Sequence, residues 1–241
     1  MGILTYEYTI PIGDVGEKNY LTNNGFLRLM QESAIEASQS VGYGPKTTQE
    51  TPFFWVILNW KLEVFKRPNW NDKILVKTWP RNMIKFYSHR EFEIYDENQN
   101  IVAIASSKWV LVDKEKGVSK IPQILEDEYE CVQKSVFNEE SLSKIQEPED
   151  KKLTLKYTVQ RRDLDTNHHV NNTVYLDYAY EAIPQNVYEN IDFKHVEIMY
   201  KHEARINDTL LLYHTELKNN EHIVTIKNKK DNSLHTIIKL Y

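Results

Sequence analysis

Hydrophobic and polar positions alternate over residues 6–12, predicting a short strand, and a polar turn follows at 13–19. Over 21–40 the period changes. Phe26, Leu29, Met30, Ser33, Ala34 and Ala37 recur at three- and four-residue spacings, predicting a helix that Gly42 and Gly44 close. Beyond a Thr- and Gln-rich loop, aromatic and β-branched runs at 53–65, 74–79, 86–95 and 101–112 read as strands. The separators Pro68-Asn69-Trp70-Asn71-Asp72 and Asp96-Glu97-Asn98-Gln99-Asn100 carry turn chemistry. A strand, a helix and four closely spaced strands predict an antiparallel sheet wrapped on one helix.

Residues 123–152 break this texture. Glu and Asp dominate with no sustained period, which reads as an acidic linker, pinned to the surface at Leu125 and Val136. The pattern then restarts, so 1–122 and 153–241 read as two domains. Tyr8-Thr9-Ile10 matches Tyr157-Thr158-Val159. Asn23-Asn24-Gly25-Phe26-Leu27 aligns on Asn171-Asn172-Thr173-Val174-Tyr175, and Asn71-Asp72-Lys73-Ile74-Leu75 on Asn207-Asp208-Thr209-Leu210-Leu211. Three matches in the same order predict an internal duplication, two halves paired as a pseudo-dimer, each with one long helix and a sheet. The second half offers strands at 194–201, 210–217, 222–227 and 234–240. Its helix begins after an N-cap at Asn171 or Asn172 and stops at Pro184.

Composition narrows the function. A net charge of −5 without a Lys/Arg-rich block argues against nucleic acid. No apolar run approaches the roughly 20 residues that span a bilayer, so no membrane is expected. The first ten residues lack the basic start and apolar stretch of a signal peptide. The single cysteine, Cys131, lies among acidic neighbours and reads as unreactive, and the chain is expected to be cytoplasmic. No G-x-G-x-x-G, Walker A, C-x-x-C or G-x-S-x-G sequence occurs, which removes the usual support for dinucleotide, phosphate-loop, zinc-ribbon and serine-hydrolase readings.

Candidate chemistry concentrates in Arg161-Arg162-Asp163-Leu164-Asp165-Thr166-Asn167-His168-His169-Val170-Asn171-Asn172, a polar loop aimed at a helix N-terminus. A calcium loop would need glycine at His168 and a carboxylate at Val174. A metal site using His168, His169, His195 and His202 lacks the H-x-x-x-H spacing. Capping by Asp165, Asn167 and Asn171 explains part of the pattern and leaves His169 unexplained.

The chain resembles the acyl-acyl-carrier-protein thioesterases over nearly its whole length. The resemblance rests on Gln31-Glu32-Ser33-Ala34, the Pro68–Asp72 turn, Ser107-Lys108-Trp109-Val110 and Ser119-Lys120-Ile121-Pro122. Most specific is Asp163-Leu164-Asp165-Thr166-Asn167-His168-His169-Val170-Asn171-Asn172, which is similar to the family's D-L-D-x-N-x-H-V-N-N signature. It implies an α+β double hot-dog fold, with the acyl-chain pocket in the first domain. It also implies hydrolysis of fatty acyl thioesters on the phosphopantetheine arm of acyl carrier protein, with no cofactor and no metal. Catalytic Asp, Asn and His fall on Asp165, Asn167 and His169, and a family strand motif places the carboxylate on Glu203. Ala204 stands where that motif has cysteine, which excludes a thiol nucleophile there.

The residue chemistry leaves the roles open. Glu203 or His169 can serve as general base, and Asp165 can either orient His169 or attack the thioester. Asn167 can orient water, and the backbone N–H groups of Val170 and Asn171 are the expected oxyanion donors. Arg161, Arg162, Lys194 and Lys201 read equally as a carrier-protein contact or a solvated patch. Trp55, Trp60, Trp79 and Trp109 read as core before tunnel lining. A homodimer is left open. The rival functions are acyl-CoA hydrolysis and non-catalytic acyl binding.

Overall fold

A computed structural model describes residues 2–47 and 51–241; the part of the Thr- and Gln-rich loop at 48–50 lies outside the described residues. The chain divides into two compact units, Met1–Leu142 and Ser143–Tyr241.

In the first unit β1 (Leu4–Thr9), β2 (Phe53–Val64), β3 (Lys73–Ile84), β4 (Tyr87–Asp96) and β5 (Ile101–Asp113) form an antiparallel sheet. Its order is β1-β3-β4-β5-β2, and the short β6 (Gly117–Val118) pairs with β5. β3 runs five residues past the expected end at 79 because its register shifts between Pro80 and Asn82. A bulge accommodates a residue with no N–H to give. α1 (Asn23–Ser40) starts at Thr22, whose Oγ1 accepts from the Gly25 N–H at 2.9 Å. Its apolar stripe, including Phe26, Leu27, Met30 and Ala37, is buried, and the helix lies against β1 and β3. Gly25 is needed there: a Cβ would stand 2.5 Å from Leu21 Cδ1 and 2.7 Å from the Asp14 carbonyl oxygen. Trp60 and Trp79 are fully buried, Trp60 against Phe92 at 5.3 Å.

The stretch expected to be a linker is largely part of this unit. α2 (Gln123–Tyr129) forms in it, and Leu125 and Tyr129 enter a cluster with Leu111 and Ile121. Farther on, Trp79 Nε1 donates to the Lys134 carbonyl, the Val136 N–H donates to Glu91, and Arg81 donates to the carbonyls of Glu139 and Glu140. Cys131 is half-buried, and burial followed by the Glu126 charge pushes its thiol up.

The second unit orders β7 (Lys152–Thr158), β8 (His195–Tyr200), β9 (Thr209–Glu216), β10 (His222–Asn228) and β11 (Leu234–Leu240) as β8-β11-β10-β9-β7. α3 (Val174–Ala182) lies against β7, β9 and β11. Its helix is shorter than α1, because Pro184 breaks it and restarts the chain as α4 (Gln185–Asn190).

The backbone bears out the duplication in detail. Gly16 donates to the Tyr20 carbonyl as Asp165 does to His169, Leu21 to Pro68 as Val170 to Ala204, and Thr22 to Asp14 as Asn171 to Asp163. Asn71 and Asn207 both take positive φ, 66° and 69°. These bonds make Thr22, not Asn23, the counterpart of Asn171, a one-residue correction to the sequence alignment there.

Candidate active site

The loop before α3 is held by its own polar side chains. A single 3-10 turn (Arg161–Asp163) follows β7, and the buried Asp163 carboxylate accepts from the Gln160 N–H at 2.6 Å and the Tyr157 hydroxyl at 2.9 Å. Asp165 Oδ1 accepts from the N–H groups of Asn167 (2.8 Å) and His169 (3.3 Å). His168 sits at φ 62°, the left-handed turn that lets the chain double back so that Asp165 N–H meets the His169 carbonyl at 2.8 Å. Asn171 Oδ1 accepts from Thr173 N–H and Oγ1–H at 3.1 Å and closes the turn before the helix, while the N-cap itself is Thr173, without a side-chain cap bond, and not Asn171 or Asn172 as expected.

Glu203 is not on a strand: β8 ends at Tyr200, and Glu203 stands in the loop that follows. A backbone bridge between His169 and Arg205 brings the two loops together. His169 Nε2 lies 3.1 Å from Glu203 Oε1, and Arg205 Nη2 lies 2.8 Å from the same oxygen. His169 is partly buried and Glu203 half-exposed, so the pair is open to solvent on one side.

Of the expected site residues, His169 and Glu203 meet through their side chains. Asp165 engages His169 through its backbone N–H and not its ring, and the Asn167 amide is exposed beside them. The two expected oxyanion donors are otherwise committed. Val170 N–H donates to the Ala204 carbonyl at 2.9 Å and Asn171 N–H to the Asp163 carbonyl at 2.8 Å, because these bonds tie the loop to its neighbours. Arg161, Arg162, Lys194 and Lys201 are all exposed.

Sequence reasoning missed Arg205 and Tyr175. The Tyr175 hydroxyl is buried and accepts from the Ala204 N–H at 3.0 Å; burial, and then the charges of Asp208, Glu203 and Asp165 against that donated bond, leave its pKa raised. The only signal for Arg205 was its place two residues after Glu203.

The first unit carries the same backbone frame with different side chains. Gly16, Lys18, Tyr20 and Arg67 stand where the second has Asp165, Asn167, His169 and Glu203. The Arg67 guanidinium lies over the Tyr20 ring at 5.1 Å where the second unit has the His169–Glu203 contact.

Residues 3–131 match the acyl-ACP thioesterase N-terminal domain, and 146–239 the C-terminal domain of that family. The chain belongs to the acyl-ACP thioesterase family. It is 28% identical to an oleoyl-acyl carrier protein thioesterase of Arabidopsis thaliana, across 85% of this chain and 61% of that protein. It is 26% identical to a palmitoyl-acyl carrier protein thioesterase of Cuphea hookeriana, across 84% of this chain and 52% of that one. The chain thus spans between half and two thirds of these curated relatives. In fold it is similar to an acyl-ACP thioesterase from Bacteroides thetaiotaomicron (TM-score 0.81, 22% identity, 99% of this chain and 96% of that one). A 12:0-ACP thioesterase from Umbellularia californica gives the same TM-score at 20% identity, with 99% and 96% covered. The fold is the double hot-dog: two α+β units in tandem. Among the described residues no helix is long and apolar enough to cross a membrane.

Proposed function

We propose that this member of the family hydrolyses fatty acyl thioesters carried on the phosphopantetheine arm of acyl carrier protein, releasing free fatty acid. The observation that carries the reading is the His169–Glu203 contact at 3.1 Å, built on the loop that matches the family signature. A carboxylate only accepts, so His169 presents Nε2–H to Glu203 and, when neutral, keeps a lone pair on Nδ1. Arg205 on the same carboxylate oxygen holds Glu203 in place and suits it to orienting the ring. His169 Nδ1 then takes a proton from water as the water oxygen adds to the thioester carbon. Collapse of the tetrahedral intermediate breaks the C–S bond, and the thiol leaves with that proton. Asp165 is occupied with two backbone N–H groups, which suits it to holding the loop better than to attack. Asn167, with its exposed amide, takes the oxyanion role in place of Val170 and Asn171. No cofactor or metal enters these steps. A cytoplasmic setting fits the single half-buried thiol.

The test is fatty acid release from a panel of acyl-carrier-protein thioesters, with the same acyl groups on CoA as the comparison. His169→Ala should lower turnover by roughly a hundredfold, as loss of a general base does, and Glu203→Gln by up to about a hundredfold, as misplacement of that base does. Faster turnover on CoA would reassign the carrier, and acyl binding without release would end the enzyme reading.

A further inference from the structure

The loop that presents Glu203 is held at two points by side chains that the unmodified backbone frame does not require. His235, buried on β11, has its Nδ1 2.9 Å from the His202 carbonyl oxygen. A carbonyl only accepts, so Nδ1 carries the proton and donates. On the other side of Glu203, the Ala204 N–H donates to the Tyr175 hydroxyl at 3.0 Å. Residues 202 and 204 are thus tied down while 203 points outward.

The first unit is an internal control. Phe65 and Lys66 donate to the Val102 carbonyl as Lys201 and His202 donate to the His235 carbonyl, so the backbone is held alike in both. Yet Val102 has no imidazole. Pro68, the counterpart of Ala204, has no N–H, and Phe26 and Leu27, at the matching point of α1, have no hydroxyl. The unit with Tyr20 and Arg67 lacks both side-chain ties, and the unit with His169 and Glu203 has both. The fold therefore stands without them. Their presence tracks the acid–base pair.

We infer that Tyr175 and His235 are positioning residues, a clamp that fixes the Glu203 carboxylate against His169. This rests on the reading of Glu203 as a working group of the site. A loose clamp lets Glu203 drift from the ring, and misplacement by about 1 Å costs up to a hundredfold.

The experiment measures kcat and KM for acyl-carrier-protein hydrolysis by wild type, Tyr175→Phe, His235→Val, His235→Asn and Glu203→Gln, with Tyr175→Phe also combined with Glu203→Gln. Tyr175→Phe and His235→Val should each lower kcat about tenfold with KM nearly unchanged, since the interaction matters only at the reacting centre. Asn places an amide N–H where Nδ1–H stood, so His235→Asn should recover most of the loss. With Glu203 already changed to Gln, Tyr175→Phe should cost nothing further, whereas a merely structural role would cost the same in either background. Wild-type kcat in Tyr175→Phe, or full additivity in the double variant, would overturn the clamp even if Glu203→Gln is inactive. Undiminished activity in Glu203→Gln would instead remove the site reading, and the clamp with it. Tyr175→Phe removes one oxygen, and a melting curve identifies any variant that fails to fold.

Discussion

Acid should destabilise this protein partly through one histidine remote in sequence from the candidate site. His89, on β4, is 5% exposed, with Nδ1 2.9 Å from Asn82 Oδ1 and Nε2 3.3 Å from Ser141 Oγ. Burial, then the Arg81 and Lys108 charges, lowers its pKa from 6.5 to about 4. Between those values the unfolded chain binds a proton that the folded chain refuses, so the contribution is complete above pH 6.5 and is lost as pH falls toward 4. Linkage with these two values gives a loss of about 2 kcal/mol by pH 5 and about 3 kcal/mol by pH 4. His89→Asn keeps a donor toward Asn82 and cannot titrate. The variant will be weaker than wild type at pH 7, where the lost ring volume counts. The quantity of interest is the gap between the two proteins, followed by urea unfolding from pH 7.5 to 4.5. It should narrow by about 2 kcal/mol on reaching pH 5, and other titrating groups cancel in the comparison. A gap constant with pH would refute the argument, because it would mean that His89 accepts its proton as readily folded as unfolded.

Two further outcomes concern stability. Gly25→Ala pushes a Cβ to within 2.7 Å of the Asp14 carbonyl oxygen, a backbone atom that cannot turn aside. Overpacking of this kind should cost about 1–3 kcal/mol, read as a lower melting temperature. Leu125→Ala empties a fully buried site beside Leu111, Ile121 and Tyr129 and should cost about 2–5 kcal/mol. Limited proteolysis should then cut first within 123–142, and unchanged protection would contradict the packing described.

Strong periodicity made most elements legible. The long helix and the strands of both halves lie within a few residues of their expected positions, since each pairs a clear apolar period with turn residues. The expected strand ends at Trp79, because a proline inside a run argues against a strand until the bulge beside it is known. α2 leaves no signal, because seven residues cannot establish a helical period and the acidic residues there outnumber the buried Leu125 and Tyr129. At the site, His169 and Glu203 are 34 positions apart, and only family resemblance paired them. Tyr175 lies unmarked within the expected helix and His235 within the expected strand at 234–240, because a single long-range hydrogen bond leaves no pattern along the chain.

The two halves share the turns that fold the loop and differ at the positions proposed to react. Asp72 and Asp208 each accept, at 2.8 Å, the N–H three residues earlier, Asn69 and Arg205. Asp14 and Asp163 each lend a carbonyl to the helix entry, while Asn19 and His168 take the same left-handed turn at 59° and 62°. Asp14 and Asp163, and Asp72 and Asp208, are the same residue in both units, and Asn19 and His168 share one turn, so these positions serve the frame; in the polar loop that accounts for Asp163 and the turn at His168. Asp165, Asn167, His169 and Glu203 have no such counterparts: Gly16, Lys18, Tyr20 and Arg67 occupy the frame and leave it intact. A frame that closes equally well around Tyr20 and Arg67 gives the His169–Glu203 pair no structural reason to exist. On the proposed function the pair is there for chemistry, and substitution of Asn167, His169 or Glu203 should change activity far more than stability, whereas substitution of Asp165, which accepts two backbone N–H groups of the loop, should lower both.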